Sequence, residues 1–265
     1  MPTFASLIIG FLLLAAIFVV IERLSPGTRG QRRFRKGWSL DLLYWFFTPL
    51  VTRWIARICV AAAAGIVLLA LGRSLDREVI ARGFGPIARQ PAWLQAIEIL
   101  LLGDLVAYGM HRWFHGRRLW KYHAIHHSST EVDWLSAVRL HPVNDVVTRV
   151  AQVVPFLLLG FSPFVLVAYL PVLTFYAILL HANVNWTFGP LGYVFASPVF
   201  HRWHHTKEAE AMDKNFAGMF PFIDLAFGTF YMPKDKLPTE FGVNEAVPEG
   251  LVGQLAYPFR RVRDA

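Results

Sequence analysis

Long apolar runs dominate this sequence and limit what it can fold into. Residues 4–21 contain no charged side chain, and a helix of that length just crosses the ~30 Å hydrocarbon layer of a bilayer. Further apolar runs occupy residues 40–71, 93–108 and 146–180. Hydrophobic residues make up 55% of the chain and charged residues only 17%, whereas about a quarter of the residues in soluble domains are charged. We therefore expect an integral membrane protein.

The apolar run at residues 146–180 is too long for one span and is interrupted by helix breakers. The breaks are Pro155, Gly160, Pro163 and Pro171. They predict two short passes that form a hairpin. With one pass for each of the other three runs, the sequence predicts an all-α polytopic helical bundle of about four to five passes, although the number in residues 40–71 stays open.

Charged residues inside and between the runs indicate which surfaces meet lipid. Arg53 and Arg57 are four residues apart and share one helical face, and we interpret them as reaching to lipid headgroups, with a substrate role as the alternative. Glu98 and Asp104 are expected to face the protein interior, because carboxylates are costly against lipid. Residues 72–92 are rich in charge, glycine and proline, and therefore predict an exposed loop.

Basic residues follow the first apolar run and set the predicted orientation. The cluster comprises Arg29, Arg32, Arg33, Arg35 and Lys36. Positive residues flanking membrane spans favour the cytoplasmic side, so five passes place the segments after the third and fifth spans there too. The formal net charge is +8, but the basic residues flank apolar runs instead of forming a stripe with aromatics, which argues against nucleic-acid binding.

All ten histidines fall between residues 111 and 205, and eight of them form three clusters. The clusters are HRWFH (His111, His115), HAIHH (His123, His126, His127) and HRWHH (His201, His204, His205). On a helix, positions three or four residues apart project from one face, so each cluster can present two or three imidazoles to one point. One histidine is easily explained as a hydrogen-bonded interfacial residue. Three clusters that each follow an apolar run predict a metal site.

The kind of metal follows less directly from the residues. Imidazole suits Zn, Cu, Fe and Ni, but a single tetrahedral zinc uses only four ligands, so two ions are the economical interpretation. No cysteine or carboxylate stands at ligand spacing within the clusters. The HExxH pattern of hydrolytic zinc enzymes, with its glutamate general base, is absent as well.

These motifs resemble those of a known family of membrane enzymes. HRWFH, KYHAIHHSSTEVDWLSAVRLHP and HRWHHTKEAEAMDKNFAGMFPFIDLAFGTF are similar in order and spacing to the fatty acid hydroxylase superfamily, also called the sterol desaturase family. The resemblance covers about residues 95–235 and includes Asp213, Asn215, Gly218, Asp224 and Gly228 after the third histidine cluster. It implies a helical bundle with a histidine-rich cap on the cytosolic side, which holds two iron ions.

The resemblance also implies further site residues. A histidine between the second and third clusters completes the metal ligands in that family, which implies His181 here. The alternative is that His181 is a helix-end histidine bound to a backbone carbonyl. Some members carry another histidine four residues later, where this chain has Asn185. We expect Asn185, His141, Asp213 and Asn215 to lie behind the ligands, although His141 could instead supply the missing metal contact. The two residues after the third cluster, Asp213 and Asn215, would fix imidazole tautomers, and turn formation by them is an equal alternative.

The function implied is oxidation of a lipid by molecular oxygen. A pair of iron ions would use O2 to hydroxylate or desaturate a sterol-like lipid, an acyl chain or a lipid headgroup. The chain has one cysteine and no GxGxxG or haem-attachment motif, so an external donor, a ferredoxin or a cytochrome with its reductase, is expected to supply electrons. The rival interpretations are a zinc-dependent lipid hydrolase and a non-catalytic membrane metal-binding or transport protein.

The same patterns divide the chain into three parts. Residues 1–92 are expected to form an N-terminal transmembrane region, residues 93–235 the catalytic domain, and residues 236–265 a cytosolic tail.

Overall fold

The computed structural model describes residues 3–73 and 76–260, and within these ranges the secondary structure is helical, without a β-strand. The α-helices are α1 (Phe4–Leu24), α2 (Trp38–Phe47), α3 (Arg53–Ala70), α4 (Arg77–Arg82), α5 (Ala92–Phe114), α6 (Trp120–His127), α7 (Pro142–Leu159), α8 (Pro163–Ala168), α9 (Leu170–His181), α10 (Pro198–His204), α11 (Phe222–Phe227) and α12 (Leu251–Ala256). The expected all-α fold is therefore confirmed. The last five residues of the expected C-terminal tail lie outside the described residues.

Five helical segments are long and apolar enough to cross a membrane, which confirms a multi-pass membrane protein. They are Phe4–Leu24, Trp38–Ala70, Ala92–Phe114, Pro142–Leu159 and Pro163–His181. Large apolar side chains on their surfaces, such as Leu12, Ile58 and Leu69, are exposed. Such continuous apolar surface suits contact with lipid.

One continuous helical segment covers residues 40–70, where the sequence left the number of passes open, and it forms one candidate span. Helices α2 and α3 are joined by one π-helical turn, Thr48–Thr52, which contains Pro49. Proline lacks the N–H that would continue the α-helical hydrogen bonds, so the helix is locally rewound instead of broken. The result is a single 33-residue segment, about 50 Å long at 1.5 Å per residue, which exceeds the hydrocarbon thickness.

The arginines of this span have different surroundings. Arg57 is exposed, and its guanidinium lies 6.0 Å from the ring centroid of Trp54. Arg53 is half-buried, and its Nε has no hydrogen-bond partner among the described residues. Arg57 therefore suits an arginine that reaches to headgroups, whereas the position of Arg53 is more enclosed.

The hairpin expected within residues 146–180 is present and turns at Gly160. Gly160 has φ of +87°, and a Cβ at this position would lie 2.4 Å from the carbonyl oxygen of Phe84. The amide N–H of Phe84 in turn donates to the Gly160 carbonyl at 2.9 Å. Glycine is required here both by the left-handed backbone and by the close approach of a second chain segment.

The segment at residues 72–92 is largely exposed where the structure describes it, as predicted, but it is not entirely loop. Part of this segment folds as α4, whose first turn is capped by the Asp76 carboxylate accepting from the Val79 N–H. The Ser162 hydroxyl donates to the Ala81 carbonyl at 2.6 Å. Part of the segment therefore contacts the α7–α8 turn. Apolar periodicity does not predict α4, because this helix is short and half of its residues are charged.

Asp104 lies inside the protein, as predicted for a carboxylate on a membrane helix. It is buried on α5 and accepts hydrogen bonds from the backbone N–H groups of Gly218, Met219 and Phe220 at 2.7–3.1 Å. Glu98 is half-buried and accepts from the Gln90 side chain at 3.0 Å. Asp104 thus ties the third span to the chain that follows the last histidine cluster.

A buried ionic network joins the N-terminal region to the histidine-rich part. Arg35, in the loop after α1, contacts Asp133 at 2.5 Å and Asp41 at 2.7 Å, and Arg139 contacts Asp41 at 2.5 Å. All four residues are buried. Each charge has a hydrogen-bonded opposite charge, as buried ions require.

Candidate metal centre

Three short helical stretches carry the clustered histidines. His111 lies in the last turn of α5 and His115 caps its C-terminal end. The second cluster ends α6. The third lies on α10, which begins at Pro198 after the Ser197 hydroxyl accepts from the Phe200 N–H. Proline at the first turn and a serine cap fix where this helix starts, and so fix which face its histidines present.

The structure brings nine histidines together in two groups. The first histidine group comprises His111, His115, His123, His127 and His204, and the second comprises His126, His181, His201 and His205. Within each group, one ring nitrogen from every member lies within 4.8 Å of the others. No cysteine or carboxylate joins either group among the described residues.

The grouping differs from the expectation that each cluster converges on one point. His123 and His127, four residues apart, enter the first group, while His126 enters the second. The third cluster does the reverse, since His201 and His205 enter the second group and His204 the first. Positions four residues apart share a face, whereas the intervening histidine is rotated away from them. Each triplet therefore serves both groups.

Imidazole rings of the two groups pack directly against each other. The ring centroids of His127 and His205 are 4.4 Å apart and nearly parallel, with an interplanar angle of 26°. The centroids of His204 and His205 are 5.4 Å apart. The groups are therefore adjacent parts of one centre.

His181 ends α9 and lies in the second group, where the family resemblance implied a ligand. Its Nε2 is 3.2 Å from the Nε2 of His126 and 3.2 Å from that of His201. Its Nδ1 donates to the Ala177 carbonyl at 2.7 Å, one helical turn earlier. His181 can therefore bind a helix carbonyl through Nδ1 and still direct Nε2 towards the other imidazoles.

Hydrogen bonds at Nδ1 orient six of the nine rings. Asp213 lies 3.0 Å from His115, and the Asn144 side-chain oxygen lies 2.7 Å from His123. Backbone carbonyls are the partners of the other four: Phe216 for His111, Lys214 for His204, Arg139 for His126 and Ala177 for His181, at 2.7–3.0 Å. A carbonyl oxygen only accepts, so Nδ1 carries the proton and Nε2 keeps its lone pair.

These tautomers leave lone pairs facing each other. The Nε2 atoms of His111 and His123 are 3.0 Å apart, and those of His126 and His181 are 3.2 Å apart. Burial lowers the pKa of His123 and of His126 well below the usual value, which disfavours a proton between the rings. The Nε2 atoms of His115 and His204 are also buried without a hydrogen-bond partner.

The donor set fits metal ions. When two imidazole nitrogens each lie about 2.1 Å from one metal ion, with a nitrogen–metal–nitrogen angle close to 90°, the two nitrogens are about 3.0 Å from each other. The separations of 3.0–3.2 Å among the Nε2 atoms match that value. A cation would satisfy every converging lone pair, and the carbonyl-bound Nδ1 atoms are the orienting contacts typical of metal-binding histidines.

A short segment after the third cluster contacts three histidines of the first group at once. Asp213, Lys214 and Phe216 supply the acceptors for His115, His204 and His111, respectively. Asp213 has φ of +55° and Asn215 has φ of +60°, which asparagine and aspartate tolerate better than most residues. The left-handed backbone at both positions places the acceptors on one side.

Asn215 supports this segment indirectly, which corrects the expectation that it bonds an imidazole. Its side-chain N–H donates to the carbonyls of Phe200 and Tyr231, and its oxygen accepts from the Tyr231 N–H. The side-chain amide of Asn215 therefore binds backbone atoms and no imidazole. Asp213, by contrast, contacts a histidine ring as expected.

His141 and Asn185 lie elsewhere than expected. The Nδ1 of His141 accepts from the Val143 N–H at the start of α7, and its Nε2 donates to the Leu255 carbonyl. Asn185 is exposed, and its backbone N–H donates to the Ser25 carbonyl. Neither side chain is placed to orient a ring of the two groups. His141 is instead the N-cap of α7, which begins at Pro142. Asn185 lies beyond the end of α9, next to the chain that follows α1.

Comparison with known proteins agrees with this arrangement. The family model described as fatty acid hydroxylase matches residues 96–229, which contain all nine grouped histidines. This chain belongs to the fatty acid hydroxylase family. No solved structure matches it.

Curated relatives of this family member are lipid-modifying oxygenases by name. The chain is 31% identical over 173 residues to the ornithine lipid hydroxylase OlsE of Rhizobium tropici, covering 64% of this chain and 52% of the relative. It is 30% identical over 166 residues to the alkylglycerol monooxygenase of Caenorhabditis elegans, covering 62% and 32%. The human alkylglycerol monooxygenase is 32% identical over 135 residues, covering 51% and 30%. The chain thus spans about half or less of each relative's length.

Two further residues of this family member support the centre and are not evident from the histidine pattern. Asn144, in the first turn of α7, orients His123. Asp224 accepts from the N–H groups of Phe216 and Ala217 at 2.8 and 2.9 Å, beside the carbonyl that receives His111. An asparagine two residues after a proline carries no metal signal by itself, so only the folded contact identifies Asn144.

A cavity of about 250 Å³ borders the first histidine group. His115, His127 and His204 line it together with charged residues, including Lys207 and Glu245. The Trp120 indole N–H donates to Glu245 at 2.9 Å across this region. The cavity gives a polar ligand a route to the imidazoles of the first group.

Proposed function

We propose that this chain is a membrane-bound lipid hydroxylase whose nine grouped histidines hold two iron ions. The observation that carries the proposal is the convergence of Nε2 lone pairs in two adjacent groups, with Nδ1 of six rings tied to acceptors. Five and four imidazoles exceed the ligand needs of one ion but suit two. Membership of the fatty acid hydroxylase family favours iron over the other metals that imidazole accepts.

Bound iron would supply the oxygen-activating chemistry at this centre and would pass on electrons that it receives from a donor. The balanced reaction is C–H plus O2, two electrons and two protons giving C–OH and water. The electrons must come from outside, because the single cysteine excludes an intrachain iron–sulfur cluster with four cysteine ligands. We infer a ferredoxin, or a cytochrome with its reductase, as the donor.

Residues of this chain orient the histidine rings and keep bulk water away from part of the centre. Asp213, Asn144 and the carbonyls of Phe216 and Arg139 fix the rings, so the ligands need no rearrangement when metal binds. The second histidine group is buried, which excludes bulk water from that side of the centre. Buried neutral imidazoles also add no charge of their own.

The substrate is inferred to be a lipid that presents its polar end to the first histidine group. The cavity beside that group is lined by charged and polar side chains as well as by imidazoles, which suits a headgroup better than a hydrocarbon tail. The names of the relatives, ornithine lipid hydroxylase and alkylglycerol monooxygenase, favour hydroxylation over desaturation. Both reactions remove hydrogen from carbon, so the product's mass distinguishes them.

The cytoplasmic side is inferred from charge. The loop between the first two spans carries five basic residues within residues 29–36. Arg35 of this loop contacts Asp133, which follows the second histidine cluster closely in the sequence. The histidine-rich part therefore lies on the same side as the basic loop, and that side is cytoplasmic by the preference of basic loops.

The rival functions have less support. A zinc hydrolase needs a general-base carboxylate, and the carboxylate nearest the rings, Asp213, is bound to His115. A transporter needs ionisable residues along its spans, but Asp104 is occupied by three backbone N–H groups.

Metal analysis and oxygen uptake test the proposal together. Detergent-purified protein, reduced and supplied with a total lipid extract, should contain about two irons per chain and consume oxygen. His126→Ala should lose iron and oxygen uptake. His141→Asn is the matched control, because it alters a buried histidine outside both groups while keeping a helix-capping side chain; it should retain both properties.

Two results would overturn the proposal. Iron and oxygen uptake that persist unchanged in His126→Ala would remove the second histidine group from the centre. Tightly bound zinc, with lipid cleavage that needs no oxygen even after iron reconstitution, would favour the hydrolase. A product heavier by one oxygen atom supports hydroxylation, whereas loss of two hydrogens would replace it with desaturation.

A further inference from the structure

A second and larger cavity lies beside α1, away from the histidines. Its volume is about 660 Å³, within the range of small-molecule sites. Its walls come from α1, from the loop after α1, from Trp38 at the start of α2 and from Trp134. None of the nine grouped histidines lines it.

One wall of this cavity is apolar and belongs to a membrane span. Phe11, Ala15 and Val19 follow one another at four-residue intervals on α1, and therefore form one stripe of the helix. Trp134 closes the other side, with its ring 5.7 Å from that of Phe11. The neighbouring residue Ala16 is exposed and does not line the cavity, because one residue along a helix turns the side chain by about 100°. The cavity thus extends into the hydrocarbon region alongside the span.

The other end of the cavity carries positive charge without compensation. Arg23, Arg32 and Arg33 line it and are exposed, and no carboxylate of the described residues lies within ion-pair distance of them. The two carboxylates in the lining are already engaged. Glu22 accepts from the N–H groups of Trp134 and Asn183, and Asp133 is bound to Arg35.

We propose that this cavity binds one membrane lipid with an anionic headgroup, as a bound lipid separate from the substrate. An apolar stripe that leads to three arginines is complementary to an acyl chain joined to a phosphate or carboxylate group. A phosphate monoester free in solution would leave the stripe of α1 unfilled. A neutral lipid would leave the arginines without a partner.

Buried contacts separate this cavity from the metal centre. The Arg202 side chain donates to the Val132 carbonyl and to the Thr28 hydroxyl, both at 2.8 Å. The Asn183 side chain also joins Thr28, through bonds of 2.7 and 3.1 Å to its backbone. Because Arg202 neighbours His201, the bound lipid lies behind the third histidine cluster without reaching its rings.

Lipid retention measured by native mass spectrometry tests the charged end. The purified protein is exchanged into micelles that contain phosphatidylglycerol or phosphatidylcholine, and bound lipid is counted. We expect one phosphatidylglycerol to be retained in preference to phosphatidylcholine. Arg32→Gln and Arg33→Gln should each weaken retention about fivefold. Arg29→Gln removes the same charge from the same loop outside the cavity and should have no effect.

A second pair of variants tests the apolar end. Ala15→Phe fills the cavity, whereas Ala16→Phe adds the same bulk at an exposed position of the same helix outside the cavity. Only Ala15→Phe should lose the retained lipid, and both proteins should keep their full metal content, which shows that they are folded. Equal retention in all variants, or equal retention of both lipids, would overturn the site. Hydroxylation of the retained lipid by the reduced enzyme in air would make the cavity a substrate site instead.

Discussion

Six of the nine grouped histidines have a hydrogen-bond acceptor at Nδ1 that orients the ring. Four of the six Nδ1 partners are backbone carbonyls, which any residue type can supply. Residue identity therefore predicts the histidines but not the atoms that orient them. Asp213 was predictable because it follows the third cluster and carries a charge, whereas Asn144 reaches His123 only through the fold.

Asn144 gives a test at the scale of one residue. Asn144→Ala should lower metal affinity about 10–100-fold, because His123 loses the acceptor that fixes its tautomer. Asn144→Asp should restore much of the affinity, since a carboxylate also accepts from Nδ1. Competition with a chelator measures both variants against the wild-type protein. Equal metal affinity in all three proteins would show that the hydrogen bond to His123 has no orienting role.

At the scale of the elements, close backbone contacts decide the architecture. The apolar runs and their proline and glycine breaks predict the spans and the α7–α8 hairpin. The same reasoning misses α4, because half of its six residues are charged and the segment around it is positioned by contact with the hairpin turn at Gly160. It also assigns each histidine cluster to one point, although rotation along α6 and α10 splits each triplet between two groups.

The turn at Gly160 should tolerate no side chain. Gly160→Ala places a Cβ against the Phe84 carbonyl and forces a non-glycine residue to φ of +87°. We expect destabilisation of about 1–3 kcal/mol from backbone strain alone, seen as a lower midpoint of thermal unfolding in detergent. Gly109→Ala on α5, where a Cβ meets nothing within 4 Å, should leave the midpoint unchanged or raise it. A lowered midpoint in both variants would assign the effect to glycine replacement in general.

Asp104 links two elements and should therefore affect the centre from a distance. Asp104→Ala leaves the N–H groups of residues 218–220 without this acceptor. The loss should cost about 1–3 kcal/mol for the buried Phe220 N–H and less for the N–H groups of Gly218 and Met219, which water can reach. Loosening this segment should also displace the carbonyl of Phe216 that holds His111. We expect both a lower unfolding midpoint and lower iron occupancy. Glu98→Ala, on the same helix with a single polar partner, should keep the iron.

At the scale of the whole molecule, the ionic network of Arg35, Asp41, Asp133 and Arg139 connects the N-terminal spans to the histidine-rich part. Asp41→Asn would leave the buried Arg139 without its carboxylate partner, whereas Arg35 would keep Asp133, so the variant should destabilise the protein by about 3–5 kcal/mol. Lys36→Gln breaks the exposed pair with Glu249 nearby and should have no measurable effect. Chemical unfolding followed by tryptophan fluorescence compares the two. A small effect of Asp41→Asn would mean that the N-terminal spans are held mainly by apolar packing.

The arrangement of spans makes the sidedness of the molecule testable. Three candidate spans lie between Arg82 and Asp235, which are both exposed, so the two positions must face opposite sides of the membrane. After the single cysteine is removed as Cys59→Ala, Arg82→Cys and Asp235→Cys can each be labelled with a membrane-impermeant maleimide in intact cells and in inverted vesicles. Asp235→Cys should react only from the cytoplasmic side and Arg82→Cys only from the opposite side, because the basic loop at residues 29–36 favours the cytoplasm. Labelling of both from one side would mean that one of the three spans does not cross, and the short hairpin passes would be the first to reconsider. Reversed labelling would keep the fold but move the metal centre, its electron donor and the anionic-lipid cavity to the other face of the membrane.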